Sequence, residues 1–390
     1  MPAAVQKPPA LPPIKSLQKF LSDSYGVEKA NLENVPNVIS GTTLVTKQFA
    51  ISIRAIFKDD QNKYYDEHAR IPFDPSQHPP TPPPMYYSGS LVKVAAVYAA
   101  FDLMATARMH TKTGAFPTPN DFLTSLDGII DTSTAIQRLK TFGQGLKPDL
   151  KKIFQYDSSK PNKVEFIKKF NDSLKNIFHN EDATVCIDAL GYSFINASLI
   201  RANFFDPNSL AGIWLAGDYS KEKSLKSVRI PSGNDTVPGG SAQTINTEEM
   251  TRMFYLIHTG QAYSHVTDAA ERAASNAGAH AIIIAQASWL TLTGSADDLT
   301  ITVPIPFTVH CTKVGIGALG PVATPGAPVY SEGEILLWSD AAQITTFNTN
   351  NKRKLTGEFA VVWQNLYQLE LHGDPLVRII GSTINNYLNQ

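Results

Sequence analysis

Ser90 and Lys93 are the residues of this chain whose types and spacing could do covalent chemistry. They lie in YYSGSLVKVAAVYAAFDLMA, residues 86 to 105. Leu91, Val92, Val94, Ala95, Ala96 and Val97 surround the lysine, so a helix through this segment buries its amine. Burial disfavours the charged ammonium and pulls its pKa down, which makes the amine a usable general base. Residues three apart share a helix face, so Lys93 can take the proton of Ser90. Gly89 permits a tight entry, and the backbone N–H groups of the first turn favour developing negative charge. A second reading uses the same residues without chemistry, with Ser90 capping the helix while Lys93 reaches out to water. On this segment alone both readings stay open.

The pattern occurs twice more, at Ser16 to Lys19 and at Ser220 to Lys223. Both stand in charged surroundings where the lysine reaches water at no cost, so neither is expected to act. Two cysteines, Cys186 and Cys311, have no histidine at ligand spacing, and the nine histidines form no HxxxH or HExxH pattern. No metal and no cofactor are expected. A formal net charge of -1 gives no bias toward nucleic acid. No apolar run is expected to reach the length of a bilayer span, and the Pro-rich start lacks the apolar stretch of a signal peptide.

These residues need a frame. TLVTKQFAISIRAIF (43 to 57) alternates like a strand, as do LTITVPIPFTVHCTKVGIG, GEILLWSD and GEFAVVWQNLY in the last third. TEEMTRMFYLIHTG reads as an amphipathic helix with acids in its first turn, and PLVRIIGSTINNYL as a closing helix. VCIDALGYSFINASLIRANFF reads as a buried helix from near Gly191, and residues 111 to 185 as mainly helical, with caps at Asp121 and Asp131. The order of strand, helices, strands and helix predicts an α+β chain whose first strand joins the C-terminal sheet. The expected divisions are a Pro-rich extended arm at 1–42, a sheet subdomain from 43–85 and 265–390, and a helical subdomain at 86–264 with an insertion at 111–185.

The Ser90 segment resembles the active-site helix of serine β-lactamases and penicillin-binding proteins, whose motifs are S-x-x-K, S-D-N or Y-x-N, and K-T-G. A literal Lys112-Thr113-Gly114 follows the serine helix at once and is read as a decoy. Lys313-Val314-Gly315, which ends an apolar alternating run and is followed by a returning strand, resembles the third motif. TINTEEMTRMFYLIHTG resembles the segment that flanks the family's site. The likeness covers most of residues 43 to 390, outside the 111–185 insertion.

The resemblance implies a β-lactamase-like fold, an antiparallel sheet flanked by helices plus a mostly helical subdomain. It also implies a Ser/Lys acyl-enzyme on a small ester, amide or peptide-like substrate, and a periplasmic or secreted location. At the expected place of the middle motif stands GYSFINASLI, where Tyr192 is read as the proton shuttle, with Ser193 the runner-up and Asn196 two residues beyond Phe194. A core tyrosine bonded to backbone is the other reading of Tyr192. The oxyanion hole falls to the backbone N–H groups of Ser90 and Ile316. Lys313 orients the substrate electrostatically, with Gly315 beside it. Val314 stands where the family has a hydroxyl that holds a carboxylate. No carboxylate at Asp218 or Glu222 has the flanks of the family's deacylation base. Two rivals follow: a β-lactam- or peptidoglycan-recognising protein that acylates and turns over slowly, and a non-catalytic binding protein on the same fold.

Overall fold

The computed structural model describes residues 16–33, 49–58, 63–72, 85–131, 147–160, 163–216, 243–284, 307–319, 335–347, 356–365 and 369–389. It opens with helix α1, Leu17–Glu33, followed by strands β1, Phe49–Lys58, and β2, Tyr64–Ile71. A short strand β3, Tyr86–Tyr87, leads through a one-turn 3-10 helix, Gly89–Val92, into α2, Lys93–Thr113. Helix α3, Pro119–Asp131, precedes the hairpin of β4, Phe154–Tyr156, and β5, Val164–Phe166. Then come α4, Lys168–Lys175, α5, Asn180–Leu190, and α6, Tyr192–Arg201. Strands β6, Phe205–Asp206, β7, Ala211–Trp214, and β8, Thr244–Ile245, are short. Helices α7, Thr247–His258, and α8, Ala269–Ile284, lead to β9, Phe307–Leu319, β10, Ile335–Phe347, and β11, Thr356–Asn365, and α9, Leu369–Leu388, closes the chain.

The main sheet is antiparallel in the order β2-β1-β11-β10-β9. Strand β1 pairs with β11, with Ile53 opposite Val361, so the first strand does join the C-terminal sheet. Successive side chains of a strand face opposite ways, and β1 uses both faces. Ile51, Ile53 and Ala55 pack with Leu17, Leu21, Ile380 and Ile384 of α1 and α9. Ile56 turns to the other face and the larger core built around α2. The fold is α+β, an antiparallel sheet flanked by helices with a helical region beside it, as the sequence predicts.

Helix α2 is apolar on every side, the signature of a helix surrounded by protein. The stretch Ser90–Thr113 is long and apolar enough to cross a bilayer by length and composition, contrary to expectation, but most of it is buried inside the protein. Tyr98 stacks on Tyr263 with centroids 4.6 Å apart. Asp102, on the same helix and wholly buried, accepts from Arg201 Nη2 at 2.6 Å and pairs with His265 Nε2 at 2.6 Å.

Two local expectations are corrected. Part of the Pro-rich opening is helical rather than extended, because Leu17 and Leu21 reach the sheet core and Glu28 takes both donors of Arg378 on α9 at 2.9 Å. The 111–185 region contains the β4–β5 hairpin, where Phe154 stacks on Phe166 at 5.7 Å. Asp121 serves within a reciprocal cap of α3, in which Thr118 Oγ1 accepts from the Asp121 N–H, while Asp131 is the last residue of α3 and the segment it was expected to cap lies outside the described residues. The apolar block at 185–205 does carry a buried helix from near Gly191, which at φ +76° turns α6 by 77° from α5.

Candidate active site

Ser90 sits in the Gly89–Val92 turn, half-buried, and Lys93 opens α2 directly after it. The turn is held from both ends. Ser88 N–H donates to Gln243 O at 3.1 Å beside β8, and Leu91 N–H donates to Ser88 O at 3.1 Å. The Lys93 side chain has no exposure to solvent. Its amine donates to Phe178 O at 3.0 Å and to Asn180 Oδ1 at 2.7 Å. Burial lowers its pKa from 10.5 to about 8. The amine therefore has a substantial neutral fraction near physiological pH, and two acceptors orient it. Asn180 is exposed and Ser90 half-buried, so both reach solvent.

Strand β9 is the outer strand of the main sheet and runs beside the Gly89–Val92 turn. Lys313, Gly315 and Ile316 all lie on β9, in register with Ala341, Ser339 and Trp338 of β10. The backbone thus brings the first and third predicted motifs to one neighbourhood.

The residues predicted for the middle motif lie on α6, which packs against α2. Tyr192 is buried at the head of α6, after the Gly191 turn, with Ser193 beside it. Asn196 donates through Nδ2 to Leu215 O and accepts from Leu215 N–H at Oδ1, both at 2.9 Å. This paired bond clamps α6 to the chain beyond β7, a structural task that uses both ends of the amide. Two acceptors of the Lys93 amine, Phe178 O and Asn180 Oδ1, come from upstream, at the head of α5. The available signal was an asparagine opening a helix with Glu181 and Asp182 in its first turn.

The decoys are explained by their partners. Lys112 is about half exposed and pairs with Asp268 at 2.7 Å and Glu271 at 2.9 Å. Ser16 Oγ accepts from the Lys19 N–H at 3.2 Å, and Lys19 Nζ pairs with Asp23 at 2.8 Å. Ser220, Asp218 and Glu222 lie outside the described residues.

A third serine constellation was not anticipated. Ser52 Oγ lies 2.8 Å from His68 Nε2 and 2.7 Å from Thr251 Oγ1, and His68 Nδ1 lies 3.6 Å from Glu248. Ser52 is wholly buried, so it offers no surface to a substrate. Burial, with Arg54 and Arg70 nearby, lowers the His68 pKa to about 3 and keeps the ring neutral. The set joins β1 and β2 to α7.

No protein-family model matches the chain, and no curated protein matches it. Solved structures are similar to it over nearly their whole length. A class A β-lactamase from Bacteroides cellulosilyticus is 12% identical, with 96% of this chain and 99% of that one covered and a TM-score of 0.44. A β-lactamase from Sphaerobacter thermophilus is 11% identical, covering 95% and 97%, at 0.43. The TP domain of Burkholderia pseudomallei penicillin-binding protein 3 is 11% identical, covering 96% and 93%, at 0.39.

Proposed function

We propose that the protein is a serine hydrolase that forms an acyl-enzyme on Ser90 with Lys93 as its base. The observation that carries this reading is the buried Lys93 amine, its pKa lowered to about 8, three residues after a serine that reaches solvent. The Ser90 Oγ–H proton passes to Lys93 Nζ as Oγ bonds to the substrate carbonyl carbon. The carbon–leaving-group bond then breaks, and the ammonium of Lys93 returns the proton to the departing oxygen or nitrogen. Water completes the cycle by cleaving the acyl ester. The N–H groups of Ser90 and Ile316 stabilise the oxyanion, and Lys313 on β9 attracts an anionic part of the substrate.

The contact with Asn180 supports Phe178-His179-Asn180 as the counterpart of the family's S-D-N, in place of the Tyr192 segment. Asn180 retains the final asparagine. Phe178 stands where the family carries a hydroxyl and meets Lys93 through its backbone carbonyl, so proton return to the leaving group falls to Lys93 itself.

Val314 lacks the hydroxyl that binds a β-lactam carboxylate, which favours simple esters or amides over penicillins. The Phe178 substitution also favours a second reading, a binding protein that keeps the fold and either acylates slowly or not at all. A fluorophosphonate probe, which bonds serine Oγ to phosphorus as fluoride leaves, separates these. Intact-mass analysis should find one adduct on the wild type and none on Ser90→Ala, and equal labelling of both would remove the hypothesis. Steady-state assays should give faster turnover of a p-nitrophenyl ester than of a chromogenic cephalosporin. The reverse order would overturn the substrate class, and acylation by neither would leave the binding protein.

A further inference from the structure

A cavity of about 410 Å³ lies on the far half of α2, away from Ser90. Its nearest helical wall, Phe101, is about 12 Å along the axis from Lys93 and Arg108 about 22 Å, at about 1.5 Å per residue. Its volume falls within the range of roughly 300–1,000 Å³ typical of small-molecule sites.

The apolar wall comes from Phe101, Met104 and Phe166, the two phenylalanines edge to face with centroids 5.6 Å apart. Gly278 on α8 shapes that wall, since a Cβ there would come within 2.1 Å of the Phe101 ring. The glycine lets the ring lie against the helix backbone. Ser275 Oγ is already committed, donating to Phe101 O at 3.0 Å.

Two polar groups at this cavity are not committed. Arg108 Nε is buried and has no hydrogen-bond partner among the described residues. Its Nη1 lies 3.8 Å from Glu271 Oε2, too far for a hydrogen bond, because Lys112 holds the other oxygen of that carboxylate at 2.9 Å. The Asn171 side-chain amide, on α4, makes no hydrogen bond among the described residues. Glu165, the cavity's acid, is engaged by Gln155 at 3.1 Å and by Lys160 at 3.7 Å. A guanidinium with unused donors beside an aromatic wall fits a planar apolar body that ends in an anionic group.

We propose that this cavity binds a small aromatic carboxylate or sulfonate, its ring system against Phe101, Met104 and Phe166 and its anion on Arg108 and Asn171. The site is separate from Ser90 and independent of the acyl-enzyme.

Fluorescence titration of the full chain with 8-anilinonaphthalene-1-sulfonate tests it, with N-phenyl-1-naphthylamine as the same body lacking the anion. The sulfonate should bind saturably at one site and at least tenfold more tightly than the uncharged probe. Arg108→Met should weaken it at least tenfold, and Ala274→Trp, made at an exposed rim position, should abolish it. Ser90→Ala should leave it intact. Circular dichroism checks that each variant is folded, and Asn171→Ala, expected to weaken binding severalfold, serves if Arg108→Met is not. Equal affinity for the two probes overturns the proposal, as does a sulfonate affinity indifferent to the cavity substitutions.

Discussion

Lys93 Nζ lies 2.7 Å from Asn180 Oδ1, so a buried amine on α2 and an exposed amide heading α5 meet across 87 residues of chain. The amide accepts from the amine and therefore favours its charged form. Burial opposes it and prevails, leaving the pKa at about 8. The protonation of this amine is thus set by a balance that either side can move.

Substitution at Asn180 should move that balance in opposite directions. Asn180→Ala removes an acceptor that favours the ammonium, so the inflection in the pH profile of Ser90 labelling should fall below that of the wild type. Asn180→Asp adds a negative charge and should raise it. The alanine variant also loses a bond of about 1.5–3 kcal/mol to a charged group, with labelling slowed about tenfold. Identical inflections in the two variants would disconnect Asn180 from the base.

Lys93 also makes stability depend on pH. Its folded pKa of about 8 lies below the ordinary 10.5, so the unfolded chain binds the proton more tightly. Stability should therefore rise as pH climbs from about 8 to about 10.5, by roughly 3 kcal/mol from this residue, and be lowest below pH 8. Denaturant titrations across that window should lose this rise in Lys93→Met. A wild type whose stability is flat there, relative to the variant, would mean the amine titrates normally.

Asp102 is the other buried charge on α2. Burial alone would raise its pKa, but Arg201 and His265 overcome it and hold the carboxyl at about 2. Its contribution is present above the ordinary carboxylate range and is lost as pH falls toward 2. Asp102→Asn leaves Arg201 and His265 without their anion and should destabilise by about 3–5 kcal/mol. Thermal unfolding at pH 7 measures this, and a loss below 1 kcal/mol would show the network to be solvent-screened.

Lys112 provides the control. Its partners, Asp268 and Glu271, make a surface ion pair worth at most about 1 kcal/mol. Lys112→Ala should leave Ser90 labelling within twofold of the wild type. A loss comparable to that of Lys93→Met would assign the function to the wrong lysine.

The sequence by itself determined whatever depends on neighbours within a few turns. The alternation of β1 and of β9 to β11, the apolar wrapping of α2 and the acidic first turn of α7 were all legible, and with them the sheet and the burial of Lys93. Literal motifs were separable from their copies by local charge, and Lys112 and Lys19 do sit in surface ion pairs. The N-terminal helix was not legible, because its apolar face at Leu17 and Leu21 has meaning only against α9 and the sheet. Asn180 was missed for the same reason. Its role rests on reaching Lys93 across the fold, while the better-looking GYSFINASLI holds Asn196, which clamps Leu215. Local pattern sets which elements form, since backbone period and burial are short-range. Which polar groups meet in a core is decided by packing, because only tertiary contact places a distant acceptor within hydrogen-bond reach of a buried amine.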